Sequence, residues 1–299
     1  LSFIGDPNRF AGDLLGEADP LGNNEGDAGT NLINPSFGTF NLRQNRITSN
    51  YHGLNSQLIK RFREGLSFQM SYTYGKSLDY NSDVGRAGPN DGGSGLYFVD
   101  PINIALDYGR SNFDIRHRFV TNFLWEVPFM RNHPGTLGHL LGGWQLNAIL
   151  PFQSGLPFSV INGASRRGGG DFNADGKPTE RPNIPTFGNT FNDTPGTSDF
   201  IDGVLQTNDF PSPTIGTSGN LGKNTFTGPA FWSMDLSLIK NFTIPAKEDV
   251  TLQFRAEFFN LLNRVNLFLP QVDLDSALFG QSTTAFAPRE IQFALKFIF

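Results

Sequence analysis

The C-terminal segment of the chain places Ile291, Phe293, Leu295, Phe297 and Phe299 on every second position. Successive side chains of a strand point to opposite faces, so a period of two makes this a strand with one wholly apolar face. In water, an open edge that apolar templates aggregation. A strand that closes a barrel in lipid escapes the objection.

The same period marks six further segments. Leu66, Phe68, Met70, Tyr72 and Tyr74 alternate with Ser67, Gln69, Ser71 and Thr73. Residues 52–63 alternate more loosely, with Leu54, Leu58 and Phe62 against Asn55, Gln57 and Arg61, and Glu64-Gly65 predicts a tight hairpin between the two. Phe119, Phe123, Trp125, Val127 and Phe129 oppose Arg118, Asn122 and Glu126. Trp144, Leu146, Ala148, Leu150 and Phe152 oppose Gln145, Asn147 and Gln153. Trp232, Met234, Leu236, Leu238 and Phe242 oppose Ser233, Asp235, Ser237 and Asn241. After a turn at 245–249, Val250, Leu252, Phe254, Ala256 and Phe258 oppose Thr251, Gln253, Arg255 and Glu257.

Composition agrees with an all-β, antiparallel transmembrane barrel. Phe occurs 30 times, far above 3 Trp and 6 Tyr, while charged residues are 17% and mean hydropathy is only -0.28. Barrels escape hydropathy because half of each strand faces a polar lumen. The uncharged stretch 132–165 contains Gly142, Gly143, Gln145, Asn147, Pro151 and Gln153, so it is no membrane-spanning helix. A net charge of -5 argues against nucleic acid as a partner, and the absence of cysteine excludes disulfides and thiolate metal sites. The start shows no basic region followed by an apolar core, so the chain reads as the C-terminal part of something longer.

Connection lengths set the orientation. Short connections lie around Gly65, at 130–143 and at 243–249; long ones cover 76–115, 155–230 and 260–288. Outer-membrane barrels have short periplasmic turns and long extracellular loops. Residues 1–50 then form an extracellular loop region and 51–299 the barrel section, with Phe299 on the periplasmic side. Trp125 and Trp144 fall at the periplasmic rim and Trp232 at the outer rim, as an aromatic girdle requires. The same alternation would suit a secreted β-sandwich, adhesin or carbohydrate-binding module, although strand spacing in such folds is shorter and more even.

Several phrases resemble the C-terminal half of TonB-dependent outer-membrane receptors, especially the Oar-like group with carboxypeptidase-regulatory-like N-terminal domains. They are Ser49-Asn-Tyr-His-Gly-Leu54, Gly65-Leu-Ser-Phe-Gln-Met-Ser-Tyr-Thr-Tyr-Gly-Lys-Ser77, Asp107-Tyr-Gly-Arg-Ser-Asn-Phe-Asp-Ile-Arg-His-Arg118, Gly142-Gly-Trp-Gln145 and Phe254-Arg-Ala-Glu-Phe-Phe-Asn-Leu-Leu-Asn263. The resemblance implies a plugged barrel of about 22 strands, of which these seven strands are the last section. It also implies residence in the bacterial outer membrane among its lipids, uptake of an extracellular ligand, and coupling to the TonB system through N-terminal parts not seen here. The terminal Phe299 resembles the signal read by the barrel-assembly machinery.

Candidate sites are few. Asp171, Asn173 and Asp175, followed by Gly176, have the spacing of a calcium loop, but Pro182 stands where the closing Glu would be. Glu180 could add a ligand for Ca2+; the alternative is a plain polar turn. Arg166 and Arg167 form a basic patch in the longest loop, suited to an anionic ligand, to the lipopolysaccharide surface or simply to solvent. On the polar faces, pairing across the 245–249 turn is expected to set Asp235 opposite Glu257 with Arg255 diagonal to both, as a ligand or plug contact or as a charge network in a wet wall. The four histidines lack zinc or general-base spacing, and no nucleophile elbow occurs, so no enzyme is expected.

If the apolar faces meet lipid, Phe68→Arg should lower assembly far more than Gln69→Arg. An arginine on the lipid face costs about 2–4 kcal/mol at the midplane and less towards the rim. Equal assembled yields of the two variants, read from the membrane fraction, would remove the lipid-facing assignment.

Overall fold

A computed structural model describes residues 2–4, 42–44, 47–82, 98–100, 103–131, 133–163, 170, 172–173, 180–186, 195–243 and 250–299. Seven long strands carry it: β1 (Ser49–Arg63), β2 (Leu66–Asp79), β3 (His117–Glu126), β4 (Trp144–Gln153), β5 (Asp235–Thr243), β6 (Thr251–Phe259) and β7 (Glu290–Ile298). Each pairs antiparallel with the next in chain order, giving one meander with β1 and β7 at its edges. The seven alternating segments hold these strands, although Val127 and Phe129 lie past the end of β3 and Trp232 and Met234 before the start of β5. β2 runs on to Asp79, beyond the end of its alternation at Tyr74, because β1 pairs with it residue for residue up to Ser49↔Asp79.

Register turns the alternation into two faces. Leu66, Trp125, Leu146, Leu238, Ala256 and Phe293 form one cross-strand row on the apolar face. Ser67, Leu124, Asn147, Ser237, Glu257 and Gln292 form the corresponding row on the other. The apolar face is left open: Phe293 is 69% exposed and Leu295 71%. A soluble sandwich would bury those residues against a second sheet.

The hairpin predicted at Glu64-Gly65 has φ of 56° and 77° at its two central positions, the signature of a primed turn that matches strand twist. Lys60 and Lys240 interrupt the apolar face towards its short-turn end. Lys60 donates to the Arg63 and Leu66 carbonyls at 3.2 and 3.3 Å, and Lys240, missed by the alternation, donates to the Gly142 carbonyl. Each brings its charge back to backbone oxygen near the rim, as snorkelling side chains do.

Pro151 sits inside β4 and has no N–H for the ladder. The neighbouring chain answers at that height. Phe231–Trp232 pairs with Gln153 and Phe152, β5 resumes at Asp235↔Ile149, and between them Ser233 keeps one bond by donating its N–H to the Pro151 carbonyl at 3.2 Å. Elsewhere Ser2–Ile4 pairs with Leu42–Gln44; of the region 1–50, residues 5–41 lie outside the described residues.

One expected register is corrected. β5 and β6 pair with Leu236↔Phe258, Ser237↔Glu257 and Ile239↔Arg255, so Glu257 faces Ser237 and Asp235 lies one step beyond the last pair. A slip of two residues keeps every side chain on its face, so periodicity alone cannot detect it.

On the polar face of β1 and β2, the Tyr51 ring lies over the cross-strand pair Gly53↔Gly75. A Cβ at Gly53 would stand 2.5 Å from the Tyr51 hydroxyl oxygen, and one at Gly75 3.2 Å from it. Gly53→Val should therefore displace the ring and cost about 1–3 kcal/mol. The effect should appear as a lower temperature of band conversion in a heat-modifiability gel, and it should largely vanish in a Tyr51→Ala background.

Candidate functional site

The long connections all leave the same end of the meander, and their described parts build a folded cap there. Phe158, Val160, Leu205, Phe210 and Leu221 of the connection between β4 and β5 share one buried core with Val272, Leu274 and Phe279 of the connection between β6 and β7. Phe210 meets Phe279 edge to face at 5.6 Å and Phe226 at 5.8 Å. A bridge at Ile161↔Asp273 and the Pro157–Phe158 pairing with Phe226–Thr227 tie the strandless stretches together. Their Gly, Pro, Asn and Asp content reads as open loop, but the spaced aromatics among those residues supply the core.

Charge and amide bonds then fasten the connection between β2 and β3 to this body. Asp107 accepts Arg181 at 2.7 Å and the Val99 N–H at 3.0 Å, and Arg181 also donates to the Leu221 and Leu106 carbonyls. Asp114 accepts Arg110 at 2.8 Å, Arg116 at 3.2 Å and the Ser77 N–H at 2.7 Å. Asn224, fully buried at φ 53°, donates to the Arg110 carbonyl and the Asn112 side chain. Lys223 reaches Asp79 at the top of β2 at 2.6 Å. The phrase 107–118, which carries the family resemblance, thus supplies the acceptors and donors of this lock. Its role was hidden because the partners lie far away in sequence.

Burial lowers the Lys223 pKa below 10.5, and the bond to Asp79 partly offsets that. Folding therefore holds this proton less tightly than the unfolded chain does. The group's contribution to stability rises with pH between the depressed value and 10.5, and below that window both states are protonated alike. At neutral pH, Asp79 is the compensation for a buried ammonium.

Beside the end of β4, where Phe231 pairs with Gln153, the cap shows an aromatic ladder absent from the alternating segments. Phe268 and Phe286 stack at 4.1 Å, and Phe231 meets Phe286 at 5.1 Å. Phe268 and Phe286 are 46% and 45% exposed. Isolated loop phenylalanines give no periodic signal, so sequence reading passed over them. On the polar face of the wall, Arg255 and Glu257 pair at 2.5 Å along one strand. Asp235 is not their partner: it accepts the Asn260 N–H at 2.8 Å and the Ser233 hydroxyl at 3.2 Å.

Of the calcium-like loop, Asp171 and Asp175 lie outside the described residues, as do Arg166 and Arg167. Asn173 donates to the Val99 carbonyl at 2.7 Å and to the Ser218 hydroxyl at 3.0 Å, linking two connections. Glu180 is buried, and its carbonyl accepts the Asn162 N–H at 2.7 Å. Among the described residues no group of His, Asp or Glu has metal-binding geometry. His117 accepts or donates a bond with the Tyr72 hydroxyl at 2.9 Å and packs beside Tyr74, in an aromatic rather than acid-base setting. The arrangement puts exposed aromatic rings and a polar wall at the long-connection end.

Over residues 6–292 the sequence matches the family model described as an outer membrane beta barrel domain. No curated protein and no solved structure matches the chain.

Removing one member of a buried ion pair strands the other, at a cost of about 3–5 kcal/mol. Lys223→Met should therefore open the cap locally, raising amide exchange around 219–227. Restoring neutrality in the Asp79→Asn/Lys223→Met double variant should recover most of the protection. If single and double variants exchange equally fast, the pair is not the fastening.

Proposed function

The chain belongs to the outer membrane beta barrel family, and on that premise we propose that it is the C-terminal barrel segment of a TonB-dependent receptor that binds an extracellular ligand and takes it up. Family membership makes it an outer-membrane protein; in this reading the apolar faces of β1 to β7 meet lipid, the long-connection end is extracellular and the short-turn end periplasmic. This leaves no place for a secreted module that never enters the membrane.

The observation that carries the uptake reading is the cap. Two long connections share one hydrophobic core, and the buried pairs Asp107–Arg181 and Asp79–Lys223 fasten the end of β2 and the connection after it to that body. A passive pore is served by an open mouth, whereas a receptor needs a preorganised surface that binds before anything passes. Phe268 and Phe286 offer the stacking face, Arg166 and Arg167 the basic patch for an anionic group. Arg255 and Glu257, with Asp235 above them, line the polar wall where a plug or a passing ligand makes contact. The meander's free edges at β1 and β7, with no further partner strand among the described residues, suit a section of a wider barrel.

Cells with and without the gene, each with and without a working energy-coupling complex, should be compared for depletion of compounds from a defined medium by mass spectrometry. At least one compound should vanish only when both are present. Depletion that needs the barrel but not energy coupling would make it a passive pore. Surface binding without depletion would make it an adhesin.

A further inference from the structure

The short-turn end holds a second unusual surface, in the connection between β3 and β4. Its helix α1 (Thr136–Leu141) brings Leu137, Leu140 and Leu141 to one stripe, at the i, i+3, i+4 spacing that marks an apolar helix face. His139 falls on the opposite side. In a protein-packed helix that stripe would be covered. Here Leu137, Leu140 and Leu141 are 56%, 59% and 47% exposed, and Phe129 in the same connection is 62% exposed.

The helix is not loose. Gly138 and Gly142 lie so close to the backbone carbonyls of His133 and Met130 that neither could carry a side chain. Its final carbonyls have no partners within the helix, and the barrel wall supplies them. The Trp144 indole N–H donates to the Leu140 carbonyl at 3.3 Å, Lys240 donates to the Gly142 carbonyl, and the Gly142 N–H returns to Gly138 at 2.9 Å. Trp144 and Lys240 are cross-strand neighbours on the lipid-facing side, with Phe254 opposite Lys240 on the next strand. The helix is therefore held against the outside of the wall, and its leucine stripe continues the lipid-facing band.

We propose that the helix Thr136–Leu141 and the described residues that flank it form an interfacial foot, with Leu137, Leu140 and Leu141 seated in the acyl boundary of the periplasmic leaflet. The occupant of the stripe is phospholipid because the surface it extends already faces lipid. A patch of this size turned to water would be an aggregation liability. Its polar edge suits the headgroup level, since His139 falls on the side of the helix opposite the leucines. Amphipathic helices that lie in a membrane surface bury their apolar side to about 5–10 Å. The proposal is independent of whether the barrel transports anything.

The chain has no cysteine, so single-cysteine variants can be labelled cleanly with an environment-sensitive fluorophore. Leu137→Cys, Leu140→Cys and His139→Cys would be assembled in the full-length protein and reconstituted in phosphatidylethanolamine–phosphatidylglycerol vesicles. Labels at 137 and 140 should emit to the blue and be quenched several-fold more by a lipid carrying a shallow spin label than by aqueous iodide. The label at 139 should show the reverse preference. Equal iodide quenching at all three positions would overturn the proposal, as would protection at 137 and 140 without lipid quenching, since that would seat the leucines on protein. Unmodified protein provides the control against misfolding of the variants. A phospholipid with a photoreactive group near its glycerol should cross-link within 129–142 as well as to β2, and cross-linking to β2 alone would overturn the proposal.

Discussion

Inside hydrocarbon no water is available to take up a peptide N–H or C=O, and each unpaired group costs several kcal/mol. The rest of this structure follows from that constraint. It forces the chain into a ladder where every strand bonds to its sequence neighbour, and the six consecutive antiparallel pairings from β1 to β7 do so with the shortest possible bookkeeping. It also explains where irregularity is allowed. Pro151 removes one donor from the ladder, and the loss coincides with the interruption of β5 at Ser233 and Met234, close to the polar end rather than in the middle of the wall.

Given paired backbones, side chains are sorted only by face. The apolar face tolerates Lys60 and Lys240 because each reaches a carbonyl near the rim. The polar face carries Leu124, Ile149 and Ile239 among its polar residues. Neither exception changes the parity on which the wall is built. In Tyr51 over Gly53 and Gly75, the polar face places an aromatic ring in the space two glycines leave.

Strand number, order and facing were legible in the sequence because period two is a local property, readable from Leu66 to Tyr74 without knowing any partner. Register across the 245–249 turn was not, since moving Asp235 by two positions preserves parity and only the closing geometry distinguishes the pairings. The cap was illegible for a different reason. Its core joins Phe158 to Phe279 and its lock joins Asp107 to Arg181, 74 positions apart, and Asp79 to Lys223, 144 apart. No window of sequence contains such a pair. Lys240 escaped notice because a charged residue at an apolar position looks like a lapse in the pattern until Gly142 is seen beside it.

The shared core of the cap has a consequence for how such a protein can diversify. Surface loops ordinarily vary one at a time, each free to change length and chemistry while its neighbours stay put. Here Phe210 packs on Phe279 and Val160 lies in one cluster with Val272, so the connection after β4 and the one after β6 are halves of a single small globule. The buried residues of one cannot be exchanged without repacking the other. Exploration is confined to the residues that rim this globule, while its interior drifts as a unit, much as the two chains of an obligate dimer must change together.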